Sequence, residues 1–140
     1  MSPFAHLLHD LRMQHNIRQS DLAELLGYEQ SFISALEIGL KGPPSPDFVE
    51  RFLKALPLSQ EESDQLITAV EASQRKLVID VDSHQDVYWL LDALRANISR
   101  LGPTKVRMIR DILKLTELGE ASWKEPARRL RRRQPEGLSV

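Results

Sequence analysis

Apolar positions between Phe4 and Val70 recur at three- and four-residue steps in five short blocks, each closed by a turn signal. The spacing predicts a first helix from about Pro3 to His15. Ser2 is its cap, Pro3 sits in its first turn, and Phe4, Leu7, Leu8 and Leu11 face inward. Asn16 suits a left-handed stop, after which Ile17 turns in and Arg18 points out. A second helix opens at Gln19 or Ser20, with Leu22, Ala23, Leu25 and Leu26 as its apolar face, and ends at Gly27. A third starts near Glu29 and turns Phe32, Ile33 and Leu36 inward. Ser45 and Pro46 open a fourth, whose inner residues are Phe48, Val49, Phe52, Leu53 and Leu56. A capping box, Ser59-x-x-Glu62, opens a fifth, with Leu66, Ile67 and Val70 inward and an end near Ser73.

The pattern then changes. Leu77, Val78, Ile79 and Val81 are mostly β-branched, and residues 77–82 read as a short strand or an irregular linker. Ser83-x-x-Asp86 resembles another helix start. Val87, Leu90, Leu91, Leu94, Ile98 and Leu101 form a seam after it, and Leu101-Gly102-Pro103 ends it. Val106, Ile109, Ile112, Leu113 and Thr116 make a second seam. Two seamed helices joined by a short turn predict an antiparallel helical hairpin. One hairpin covers only one of its sides, so the rest needs the N-terminal domain or a second copy, and Tyr88, Leu91, Leu94, Ile98, Ile109 and Ile112 are the expected dimer contact. The fold class expected is mainly α. A five-helix domain occupies residues 1–74, a linker or short strand 75–83, the hairpin 84–119, and a basic, disordered tail 120–140.

The second and third blocks, Q-S-D-L-A-E-L-L-G-Y-E-Q-S-F-I-S-A-L-E at 19–37, have a property beyond helix formation. Between the inward positions of the third helix lie Glu29, Gln30, Ser31, Ser34 and Ala35, a face of short and amide side chains. Such a face adds little to a core and suits the hydrogen-bonding edges of bases in a DNA major groove. With Leu11-Arg12, L-A-E-L-L-G at 22–27, I-S-A-L-E-I-G at 33–39, the Pro-containing turn at 43–46 and F-V-E-R-F-L-K-A-L at 48–56, residues 4–56 resemble the lambda-repressor-like, or XRE-type, helix-turn-helix regulators. The resemblance implies that Gln19 bonds the DNA backbone and that Gln30, Ser31, Ser34 and Ala35 occupy reading positions. It also implies that Arg12 and Glu37 form a structural ion pair. Arg18 and Lys41 flank the unit as phosphate contacts or plain surface. Tyr28 either contacts the backbone or packs on the turn, and Glu29 either accepts from cytosine or favours the helix start. The reading face lacks Arg and Lys, so bidentate Arg–guanine contact is unavailable to it, and a preference for A·T pairs and DNA shape is expected.

Charge sharpens this. The net charge of −1 is low for a DNA binder, and residues 1–56 carry five Lys/Arg against seven Asp/Glu. Residues 57–120 hold eight against eleven, and 121–140 six against two, including R-R-L-R-R-R at 128–133. The tail is therefore either a phosphate-binding arm or a solvated end. Affinity from few cations favours a dimer on an inverted repeat.

The absence of cysteine excludes thiol chemistry and disulfides, and no apolar run is long enough for a membrane span, so a cytoplasmic protein is the simplest reading. His6 and His9 stand at i, i+3 with no third ligand in view, and neither a metal nor another cofactor is expected. No nucleophile–base set, paired acid and base, or Gly-rich phosphate loop points to an enzyme. The expected partners are double-stranded DNA and a second copy, in a dimeric repressor. The alternatives are an antitoxin masking a toxin through the surface around Tyr88 and Trp89 or near Trp123, and an interaction adaptor that has lost DNA binding.

Overall fold

The computed structural model describes residues 1–115 and 124–130. The chain divides after Leu77 into two compact units, Met1–Leu77 and Val78–Val140. All the regular structure among the described residues is helical.

The first unit holds α1 (Pro3–Gln14), α2 (Gln19–Leu26), α3 (Gln30–Glu37), α4 (Pro46–Ala55) and α5 (Gln60–Ala72). Local chemistry sets their ends. Ser2 Oγ accepts the Ala5 N–H, Ser45 Oγ accepts the Phe48 N–H, and Ser59 with Glu62 completes a capping box. Helices α1, α2 and α3 each close on a left-handed residue: Asn16 (φ 53°), Gly27 (φ 76°) and Gly39 (φ 81°). In each case the following N–H reaches back across the last turn, Ile17 to Arg12 O, Tyr28 to Ala23 O and Leu40 to Ala35 O.

The core is built from Phe4, Leu8 and Leu11 of α1, Leu22, Ala23 and Leu26 of α2, Ile33 and Leu36 of α3, Phe48 and Phe52 of α4, Leu56, and Leu66 of α5. Phe48 lies at its centre, with the rings of Phe4, Tyr28, Phe32 and Phe52 5.3–6.2 Å away. Helix α5 packs on α1, as a fifth core helix should. Two residues depart from the expected inner faces. Leu25 is 57% exposed because Leu22, Ala23 and Leu26 already span the buried arc of α2, and Ile67 is 43% exposed beside fully buried Leu66. Ser73 has a role that sequence distance hides. Its Oγ accepts the Phe4 N–H at 2.9 Å and donates to Ala69 O at 2.6 Å, so the end of α5 caps the start of α1.

In the second unit, residues 77–80 carry no regular structure, which makes the linker the observed alternative for 77–82. A lone antiparallel bridge joins Ser83 to Lys124, and the Glu125 N–H donates to Asp82 O at 2.7 Å. Helix α6 spans Gln85–Asn97 and runs into a 3-10 turn at Ile98–Arg100; α7 spans Pro103–Lys114. The cap of α6 is His84, one residue later than the Ser83 expected, and its Nδ1 accepts the Asp86 N–H at 3.1 Å. Val87, Leu91, Leu94 and Leu101 are half-buried, whereas Leu90 and Ile98 stand exposed. Thr116, Trp123 and the arginines at 131–133 lie outside the described residues.

Candidate nucleic-acid interface

Three helices converge on one carboxylate. Glu37, the last residue of α3, is 4% exposed. Arg12 of α1 donates to it through Nη2 at 2.8 Å and Nε at 3.1 Å, a two-pronged geometry that fixes direction as well as distance. Gln19, the first residue of α2, donates from Nε2 to Oε2 at 2.7 Å, and His9 Nδ1 lies 2.6 Å from Oε1. Burial alone raises the Glu37 carboxyl. The bonds from Arg12, His9 and Gln19, with the charge of Arg12, outweigh it and hold the group below the ordinary carboxylate value. Arg12 also donates from Nη1 to Ile17 O at 3.0 Å, closing the end of α1. The expected Arg12–Glu37 pair thus sits in a wider network. Its additional members, His9 and Gln19, come from separate helices, and no sequence spacing connects them to Glu37.

The turn between α2 and α3 is equally fixed. Three residues, Gly27 to Glu29, separate Leu26 from Gln30. Arg51 of α4 donates to Leu26 O at 3.1 Å and lies over the Tyr28 ring at 5.3 Å, while its Nε pairs with Asp47 at 3.1 Å. Tyr28 stacks on Phe32 with ring centroids 5.0 Å apart, and its hydroxyl donates to Asp47 Oδ2 at 3.4 Å. Packing on the turn is therefore what Tyr28 does here. Arg51 carries no sequence signal for this role, because Leu26 O and the Tyr28 ring lie on other elements, 25 and 23 positions away.

With α3 anchored at both ends, its other side is open. Glu29, Gln30 and Ser31 are exposed, Ser34 and Ala35 half-buried, and Ile38 just beyond is 56% exposed. Gln30 has no side-chain partner among the described residues, and Ser31 has only a long 3.5 Å bond to Glu29. Ala35 O accepts the N–H groups of Leu40 and Lys41, so the backbone behind the open face is satisfied. Arg18, at the cap position of α2, is exposed and makes no ion pair among the described residues. Lys41 places its Nζ 5.3 Å from the Phe32 ring centroid and stays exposed. Gln19 differs from this group, because its amide is turned inward to Glu37.

Of the proposed contact residues in the second unit, Leu91 and Leu94 are half-buried; Tyr88, Ile98, Ile109 and Ile112 are exposed, as is Trp89 at 68%. Among the described residues no group of three His, Asp or Glu side chains is placed to hold a metal ion, and no helix is long and apolar enough to cross a membrane.

Residues 3–66 match the model of a helix-turn-helix domain family. No curated protein and no solved structure matches the chain. The matched residues end within α5, and α6 and α7 lie outside them.

Proposed function

We propose, from the premise of a helix-turn-helix domain at residues 3–66, that this protein is a sequence-specific transcription regulator acting as a dimeric repressor in the cytoplasm. The observation that carries the reading is α3. It is locked to α1 and α2 through Glu37, yet presents Gln30, Ser31 and Ser34 unburdened by core contacts. A reading helix needs that combination, since base contacts discriminate only if the frame holds them in place. Gln30 pairs with adenine through its amide, Ala35 meets a thymine methyl, and Ser31 and Ser34 serve base edge or phosphate. Arg18 and Lys41 bind phosphate on either side, and Gln19 supports the frame while its main-chain N–H stands at the start of α2. With no cation on the face, the preferred site is A·T-rich and shape-dependent. It is an inverted repeat with half-sites about 34 Å apart, one helical turn.

Dimerisation is assigned to the second unit. Large apolar side chains stand exposed there, Tyr88, Trp89, Ile98, Ile109 and Ile112 among them, and exposed apolar surface of this kind suits a protein contact. The same exposure, Trp89 above all, favours the second reading, in which this surface masks a toxin. Selection from random duplex DNA separates the two. A repressor enriches an inverted repeat by itself, and Gln30→Ala with Ser34→Ala abolishes the enrichment. An antitoxin that depends on its partner enriches a site only when the toxin is added, and absence of any site in both cases overturns the reading.

A further inference from the structure

The helix-turn-helix unit is poorly supplied with free positive charge. Residues 1–77 hold seven Lys/Arg against eleven Asp/Glu. Of the seven, Arg12 is bound to Glu37, Arg51 to Asp47 and Lys54 to Glu50, and Arg75 donates to Gly39 O. Arg18, Lys41 and Lys76 remain for phosphate. Duplex DNA presents one charge per about 1.7 Å, and affinity follows the number of phosphates neutralised. The site described above accounts for readout and leaves most of this electrostatic contribution without a source.

Helix α7 supplies one. It carries Lys105, Arg107, Arg110 and Lys114 against a single carboxylate, Asp111. Arg107, Arg110 and Lys114 stand at i, i+3 and i+7 and therefore share one face. All three are exposed, and none makes an ion pair among the described residues. Val106, Ile109 and Leu113 repeat the same spacing one residue earlier, about 100° round the helix. The apolar and basic stripes are thus separate surfaces, and a protein contact through one leaves the other open. Between Arg107 and Lys114 the helix rises roughly 10 Å, about the axial rise of three nucleotides of one strand.

We propose that the Arg107–Arg110–Lys114 face of α7 is a second, sequence-independent contact to the DNA phosphate backbone. The inference rests on the DNA-binding reading of α3 and names where the affinity of that complex comes from. Duplex DNA is the favoured occupant because the same chain carries a helix-turn-helix domain, which raises the local concentration of phosphate at α7 once α3 is engaged. An anionic membrane surface, the other polyanion a basic amphipathic helix fits, is an outcome of the test.

The experiment uses the full chain and Arg107→Gln/Arg110→Gln/Lys114→Gln, with helical content checked by circular dichroism. Each is titrated against a non-specific duplex and against the selected site, from 50 to 200 mM salt. Loss of three contacts lowers the slope of log K against log salt by roughly 2 to 3, and the fall in affinity over that range shrinks about 40-fold. Site preference, as the ratio of the two affinities, stays near the wild-type value. An unchanged slope overturns the inference while leaving α3 readout standing. Wild-type protein that binds neither duplex overturns both. Co-sedimentation with phosphatidylserine vesicles that is lost in the variant, with an unchanged DNA slope, overturns it in favour of a membrane surface.

Discussion

At the scale of single residues, Glu37 organises the reading unit. Arg12→Ala leaves a buried carboxylate short of its strongest donor and should cost about 3–5 kcal/mol in urea denaturation. The pH dependence has a definite sign. The Glu37 carboxyl ionises more readily in the fold than in the unfolded chain, so its contribution is fully present above the ordinary carboxylate range. It is lost as pH falls through the depressed folded value. Urea midpoints of the wild type should therefore drop on acidification, and Arg12→Ala should show a shallower drop; an equal drop in both contradicts the account. The Arg12–Glu37 pair was legible through family resemblance. His9 and Gln19 were not, because their meeting at Glu37 depends on how three helices cross. Ser73 was hidden for the same reason, since its partner Phe4 lies 69 positions away.

At the scale of elements, local chemistry made the first unit readable. Ser2, Ser45, the Ser59–Glu62 box and the left-handed residues Asn16 and Gly27 mark helix ends through bonds to nearby backbone. Gly27 is the least replaceable. A side chain there meets a positive φ of 76° and Arg51 Nη1 3.2 Å from its Cβ, so Gly27→Ala should lose about 1–2 kcal/mol by thermal denaturation. A variant as stable as the wild type would show that the turn relaxes freely. Apolar character alone misplaced Leu25 and Ile67, because a helix buries only as wide an arc as its neighbours cover. The cations of α7 do not stand out in the net charge of residues 57–120, because the acidic residues of α5 offset them.

At the scale of the whole molecule, a helix-turn-helix unit is followed by a second unit to which assembly and extra charge are assigned by proposal. Sedimentation equilibrium should find a dimer, and Ile109→Asp with Ile112→Asp should convert it to monomer while the first unit keeps its helical signal. A dimer unaffected by both changes would move the contact elsewhere. The two seams were legible in the sequence, but the antiparallel hairpin expected from them is not what the structure shows: α7 buries none of its residues, because no local signal says what an amphipathic helix meets. The central claim remains that the open face of α3 reads base edges. Its most direct test is the ratio of affinities for the selected site and a scrambled duplex, measured for the wild type and Gln30→Ala. The account predicts that the ratio falls by about 10- to 100-fold, the cost of losing one bidentate base contact, while affinity for the scrambled duplex holds. A ratio unchanged by Gln30→Ala, or equal losses on both duplexes, would contradict it.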